Sequence, residues 1–275
     1  MKNIIYISDF FIDEILGGAE LSDDVVIRYI EDKCSNLKTV KSQTFDPTIH
    51  KADTFIISNF AGLQQSTKDW FVTSKSKYVI IERDQKYVAR RNTAMYNDFI
   101  APESEVVNKE FYTSAYKVFC LTNHSAEILL KHIDLKNVIV LGCTQFSKQQ
   151  FELIRSNMGK DKIDKFAIVS GKRSNKAIQH CELNKLEYDI IPPMSHKDLL
   201  SKLSEYKGIV FFSHAVETCC RLLIEARIFE MKIITDNKNG CTYEKWFKEL
   251  KGEKLVNFLE NKVKETLDTI HKEIQ

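Results

Sequence analysis

Glycine and proline are scarce in this chain: 275 residues contain 9 glycines and 4 prolines. That is about 3% and 1.5%, against usual shares of about 7% and 5%. Collagen-like, Gly/Pro-rich and low-complexity architectures are excluded. Charge of one sign is lacking too, with 40 Lys and Arg against 38 Asp and Glu. No global field therefore announces a nucleic acid or a membrane surface. The 7 cysteines are odd in number and form no C-x-x-C, so neither a disulfide framework nor a zinc knuckle is suggested. Most lie in or beside apolar runs, as at Val118-Phe119-Cys120, where Cys packs as a small hydrophobe and suits a reducing compartment. No apolar run approaches the roughly 18 residues of a membrane span, and no signal-peptide core follows Met1. These absences together lead us to expect a soluble, cytoplasmic protein without stable membrane insertion. The histidines show no metal-ligand spacing, and no metal or cofactor is expected.

What is present is alternation. Short, β-branched, nearly continuous apolar runs recur at Asn3–Asp9, Thr54–Asn59, Tyr78–Glu82, Lys117–Thr122 and Val138–Leu141. They return at Phe166–Ser170, Tyr188–Ile191, Gly208–Phe212 and Lys232–Asp236. Strands buried on both faces of a parallel sheet have this composition. Amphipathic stretches lie between them, at Glu20–Lys33, Val107–Tyr116, Ser125–Ile133, Lys176–Asn184, Lys197–Tyr206 and Thr218–Phe229. The pattern predicts an α/β protein of two Rossmann-like domains with parallel sheets. The charged stretch Thr144–Lys165 reads as the boundary, without a strand of its own. The expected divisions are 1–145, 146–252, and a C-terminal helix, 253–275, able to pack back on the first domain. Leu255, Leu259, Val263, Leu267 and Ile270 form that helix's apolar stripe.

Ligands of such sheets bind beyond the carboxyl ends of the strands, and four polar constellations fall there. After the first strand comes Gly17-Gly18-Ala19-Glu20, where glycines admit a ligand to the backbone and a helix N-terminus offers free N–H groups. No G-x-G-x-x-G occurs, which argues against an ordinary NAD dehydrogenase. After Tyr78–Ile81 come Glu82-Arg83-Asp84-Gln85-Lys86-Tyr87 and Arg90-Arg91, a cluster able to hold hydroxyls or phosphates. After Phe166–Val169 come Ser170-Gly171-Lys172-Arg173-Ser174-Asn175-Lys176, within a stretch rich in Lys and Arg from 155 to 176. Cations at a helix N-terminus suit a diphosphate. After Gly208–Phe212 comes the loop Ser213-His214-Ala215-Val216-Glu217, and Glu225 follows eight residues later among Leu222, Leu223, Ile224 and Ala226. The spacing alone is weak, since Glu265 and Glu273 repeat it. Glu225 is distinguished by its apolar flanks, because a carboxylate near a buried face needs a partner or a ligand. Solvated loops and helix-face ion pairs would explain each cluster without function.

In the order of these parts the chain resembles a retaining glycosyltransferase of the two-Rossmann-domain GT-B type, with the two sheets facing across a cleft. Gly17-Gly18 resembles that family's N-terminal glycine loop. Gly171, Lys172, Arg173 and Lys176 resemble its diphosphate-binding basic loop, and Glu217 with Glu225 its Glu-x7-Glu motif. The resemblance implies transfer of a sugar from a nucleoside-diphosphate sugar, a UDP-sugar first among them, to an acceptor hydroxyl without a metal. It implies Glu217, Arg83 and Asp84 in catalysis. Gly17, Gly18, Lys172, Arg173, Lys176, His214 and Glu225 would hold the donor. Glu20, Lys86, Tyr87, Arg90 and Arg91 would face the acceptor. Arg83 stands where family members often carry His. A second group of similar fold modifies DNA in bacteriophages, so the acceptor is either a hydroxymethylated pyrimidine or a glycan. In the viral case the compartment would be the host cytoplasm. A non-catalytic nucleotide-binding or scaffold protein on the same fold is the alternative. The glycines at 17, 18, 171 and 240 are expected at turns where a side chain would obstruct the donor.

Overall fold

The computed structural model describes residues 2–33, 36–171 and 174–275. The chain forms two compact units. Unit 1 comprises Met1–Phe146 with Lys262–Gln275, and unit 2 comprises Ser147–Asn261.

Unit 1 is built on a six-stranded parallel sheet. Its strands are β1 (Ile4–Ser8), β2 (Leu37–Lys41), β3 (Thr54–Ile57), β4 (Tyr78–Glu82), β5 (Lys117–Cys120) and β6 (Val138–Val140), in the order β2-β1-β3-β4-β5-β6. β1, β3 and β4 are buried at every residue, as their unbroken apolar runs require. The helices are α1 (Gly18–Lys33), α2 (Gln65–Ser74), α3 (Lys109–Thr113) and α4 (Asn123–Leu130). α4 opens on a capping box in which Thr122 accepts from the Ser125 N–H and Ser125 returns the bond. Phe55, Phe71, Tyr78 and Phe111 pack edge-to-face and stacked at 5.0–6.0 Å between ring centres, forming the aromatic part of the core.

Unit 2 carries a four-stranded parallel sheet of β7 (Ile163–Val169), β8 (Tyr188–Ile191), β9 (Tyr206–Phe211) and β10 (Lys232–Thr235), in the order β10-β9-β7-β8. Its helices are α5 (Lys148–Arg155), α6 (Ser174–Leu183), α7 (His196–Leu203), α8 (Arg221–Ile228), α9 (Lys245–Glu249) and the start of α10 (Gly252–Ile274). Phe166, Ile168, Ala177, Cys181 and Val210 form a buried cluster between β7, β9 and α6. All five apolar positions of the C-terminal stripe, Leu255 to Ile270, are buried.

The sequence pattern missed β2, whose two lysines and exposed middle residues mark an edge strand. It also took residues 144–165 for a linker. The segment instead contains α5, capped by Ser147 and Gln150, and the first residues of β7. Arg155 explains why so charged a segment is ordered: its guanidinium lies 2.7 Å from Glu260, 2.9 Å from Glu253 and 3.1 Å from Asn257, tying α5 to α10.

Candidate functional site

In each sheet the strand order reverses once, between β1 and β3 in unit 1 and between β7 and β9 in unit 2. The carboxyl ends beside such a reversal form the natural ligand crevice of an open α/β sheet.

In unit 2, β7 runs into Gly171, whose carbonyl accepts from the Ser174 N–H (3.1 Å) and hydroxyl (2.9 Å), and α6 starts there. Lys176 is exposed in the first turn of α6. Lys172 and Arg173 lie outside the described residues. A Cβ at Gly171 would meet nothing within 4 Å. The chain itself leaves open space at this turn.

Across the reversal, β9 leads into the Ser213–Glu217 loop. Glu217 is fixed from both sides, its N–H donating to the Lys238 carbonyl (2.9 Å) and its carbonyl accepting from the Gly240 N–H (2.8 Å). This one-residue parallel bridge to Asn239 prolongs the β9-β10 pairing beyond the strands. The Ser213 hydroxyl lies 2.6 Å from the Ala215 carbonyl oxygen and 3.3 Å from Glu217 Oε1. Lys238 Nζ donates to the Ser213 carbonyl at 3.1 Å. Glu217 is only partly buried, and its neighbour His214 is exposed. Glu225 sits one turn into α8, which begins at Arg221 rather than at the expected Thr218. Its side chain is 3% exposed and Oε1 lies 2.8 Å from His196 Nε2. His196 opens α7, whose N-cap is Ser195: its Oγ accepts from the Asp198 N–H at 3.2 Å.

In unit 1 the crevice beside β1 and β3 is occupied by the protein's own side chains. Asp23 of α1 pairs with Arg83 at 2.7 Å, with exposures of 2% and 5%. Asp23 also accepts from the hydroxyls of Ser58 (2.9 Å) and Ser8 (3.3 Å). Burial works to lower the Arg83 pKa, but Asp23 and the neighbouring acidic groups more than offset it and hold the guanidinium above its usual value. Asp9, at the end of β1, accepts from the Ala61 and Gly62 N–H groups at 2.9 and 2.8 Å and from the Ser42 hydroxyl.

The loop after β4, expected as a cluster able to hold hydroxyls or phosphates, is largely drawn into the fold. Glu82 is buried and accepts from the Tyr112 hydroxyl and, at 2.5 Å, from the Gln85 N–H. Gln85, at φ +56°, exchanges two 2.8 Å bonds with Thr93. Tyr87 is a core residue against Tyr112 and His132, at 5.9 and 5.4 Å between rings, and does not present its ring to an acceptor. Lys86 is likewise buried, its Nζ 3.5 Å from Asp84 Oδ2 and 5.3 Å above the Phe60 ring. Asp84 remains partly exposed and pairs with Arg91 at 2.7 Å. Burial would raise its pKa, but Lys86, Arg91 and Arg83 outweigh that and lower it. Arg90 is exposed, 3.6 Å from Glu105.

At the start of α1, Gly18 is the first helical residue and exposed. A Cβ at Gly17 would fall 2.2 Å from Glu20 Oε2, the tip of a side chain that can swing aside. Glu20 is buried, and burial raises its pKa. The first four cations of the basic stretch, from 155 to 165, are also spent internally. Besides Arg155, Lys160 donates to Ser201 (2.9 Å), Lys162 to the Phe229 carbonyl, and Lys165 pairs with Asp189 (2.8 Å). Among the described residues no group of three or more His, Cys, Asp or Glu is placed to hold a metal ion, and no helix is long and apolar enough to cross a membrane.

Asp23, Ser58 and His196 belong to these sites but were not singled out from sequence. Ser58 falls near the end of the run Thr54–Asn59 and just beyond β3, which was the available signal; Asp23 and His196 are joined to their partners only by the fold.

No protein-family model and no curated protein sequence matches the chain. Solved structures do. The Anabaena protein Alr3699/HepE, in complex with UDP and glucose, aligns with a TM-score of 0.51 at 11% identity, covering 100% of this chain and 92% of its own. An alpha-glucosyltransferase in complex with UDP and a 13-mer DNA containing an HMU base aligns at 0.50 and 8% identity, covering 99% and 95%. At such identities the likeness is one of fold: two Rossmann-like, parallel-sheet units of the GT-B type.

Proposed function

We propose that the protein is a retaining glycosyltransferase that takes a sugar from a nucleoside diphosphate, UDP first among them, and gives it to an acceptor hydroxyl. The carrying observation is in unit 2. Glu217 is held rigidly by backbone bonds in the loop beyond β9, while Glu225 is buried eight residues on and paired with His196. On this proposal the Glu217 carboxylate orients the sugar hydroxyls and stabilises positive charge at the reacting carbon. Glu225 takes the ribose hydroxyls, with His196 fixing its orientation. Lys172, Arg173, Lys176 and the N-terminus of α6 meet the diphosphate. The leaving group gains negative charge as the glycosidic bond breaks, so preorganised cations favour the transition state over the ground state. The acceptor oxygen forms the new bond on the same face and passes its proton to the departing diphosphate oxygen, whose bond to the sugar carbon breaks. The two UDP-bound structures of the same fold support this choice of donor.

A thermal-shift panel of nucleoside diphosphates and nucleotide sugars tests the donor site, because a ligand at 100 times its Kd stabilises the folded state by about 2.7 kcal/mol. Glu217→Ala should abolish transfer and donor hydrolysis while leaving the melting temperature within a few degrees. Equal inertness of wild type and variant toward every donor would leave the non-catalytic alternative standing. Glu225→Ala should chiefly weaken nucleotide affinity, and unchanged UDP binding by calorimetry would refute its role. For the acceptor, a hydroxymethylated pyrimidine in DNA and a glycan are separated by duplex binding at 50 mM salt, as used for phosphate-dominated complexes. The internal pairing of Arg155, Lys160, Lys162 and Lys165 leaves fewer cations for DNA than the sequence suggests.

A further inference from the structure

Between β9 and α8 the chain runs from Phe212 to Cys220 without helix or strand, save for the one-residue bridge at Glu217. A regular ladder therefore does not set the course of this loop, and individual bonds do. Lys238, in the loop beyond β10, makes two of them. Its carbonyl accepts from the Glu217 N–H at 2.9 Å, and its ammonium donates to the Ser213 carbonyl at 3.1 Å. One residue thus holds the Ser213–Glu217 loop at both ends.

The hold is braced from behind. Asp236 Oδ2 lies 3.7 Å from Lys238 Nζ, while Oδ1 accepts from the Lys238 N–H and from Asn239 Nδ2, each at 3.2 Å. The Lys238 side chain is only 19% exposed, so salt and water screen its charge less than they would a surface lysine's. A hydrogen bond from an ionised donor is also the stronger kind. Ser213 carries the constraint forward: its hydroxyl lies 2.6 Å from the Ala215 carbonyl oxygen and 3.3 Å from Glu217 Oε1. Displacing the Ser213 backbone would displace the hydroxyl that stands beside the Glu217 carboxylate.

We propose that Lys238 is a positioning residue, whose ammonium acts through Ser213 to fix where the Glu217 carboxylate meets the transferred sugar. The inference rests on the sugar-transfer function proposed above. In this role Lys238 touches neither donor nor acceptor, so its loss falls on turnover rather than on nucleotide affinity.

Lys238→Met tests it, because the backbone bond to Glu217 is kept and only the ammonium is removed. In transfer or donor hydrolysis kcat should fall about 10- to 100-fold, with the donor KM and the UDP affinity by calorimetry within about threefold of wild type. Lys238→Arg, which restores a charged donor, should recover most of the lost kcat. An unchanged kcat in Lys238→Met, a UDP affinity that weakens in step with kcat, or a Lys238→Arg no better than Lys238→Met overturns the proposal. Amide hydrogen exchange of the whole chain reads the loop without any activity. The amides of residues 213–218 should exchange at least about 10-fold faster in Lys238→Met, with those of β7 and β8 unchanged. Unaltered exchange in the loop, or faster exchange throughout unit 2, also overturns it. If wild type transfers from no nucleotide sugar while the loop alone exchanges faster in Lys238→Met, the transferase function falls and the hold of Lys238 on the loop stands.

Discussion

Arg83→Met is the most informative single substitution. At 2.7 Å, and with an effective dielectric of about 20, the Arg83–Asp23 attraction is about 6 kcal/mol. Taking both groups out of water costs several kcal/mol per ion, so the intact pair contributes little net stability. Removing Arg83 alone is different. Asp23 would remain buried with neutral hydroxyls to share its charge, among the described residues those of Ser58 and Ser8 at 2.9 and 3.3 Å and of the neighbouring Tyr6. Breaking a buried pair in this way costs about 3–5 kcal/mol. For a unit of about 160 residues, at about 2–4 °C per kcal/mol, the melting temperature should fall by about 6–20 °C. Scanning calorimetry at pH 7 reads this directly. A double variant, Arg83→Met with Asp23→Asn, should recover at least half the loss, because no uncompensated charge is left. If Arg83→Met melted within 2 °C of wild type, or the double variant were no better than the single one, the pair would not be a buried structural element. Arg83 would then be free for the catalytic part that the family resemblance implied.

Three further outcomes are expected. Tyr112→Phe removes the hydroxyl from buried Glu82 and leaves the Gln85 N–H, so it should cost about 1–3 kcal/mol in urea denaturation. Burial raises the Glu20 carboxyl above its ordinary value, so the folded chain holds that proton to higher pH than the unfolded chain does. The Glu20 contribution to stability is therefore fullest below the ordinary carboxyl range, at about pH 4, and is lost as pH rises through the folded value. Glu20→Gln should accordingly melt higher than wild type at neutral pH, with the gap closing toward pH 4; a gap that widens on acidification would contradict the assigned shift. Arg155→Ala cuts α5 from Glu253, Asn257 and Glu260, and should destabilise unit 2 by about 1–2 kcal/mol, with protease cleavage appearing near α5.

The parallel strands were legible because burial on both faces admits little but Ile, Val and Phe. Tyr78–Glu82 and Tyr188–Ile191 match the sequence pattern to the residue. β2 was not legible, since an edge strand carries Lys38 and Lys41 as readily as a loop does. The site divides along the same line. Burial of Glu225 could be inferred from its neighbours on one helix. Burial of Lys86 and Tyr87 could not, because Phe60 and Tyr112 reach them from the loop after β3 and from α3. Likewise the lysines after residue 155 looked free in sequence, while their partners, Ser201, Phe229 and Asp189, are 24 to 67 residues away.

Helix α10 bears on the order in which a nascent chain can mature. Residues 262–275 belong to unit 1, where Ile270 and Ile274 are buried, the Ile274 carbonyl accepts from Thr54 on β3, and Thr266 donates to the Leu141 carbonyl. The six-stranded sheet is synthesised by residue 146, but its covering is not complete until more than a hundred later residues have left the ribosome. During that interval unit 1 exposes an apolar strip that its own chain will later cover, and unit 2 can fold first despite being translated second.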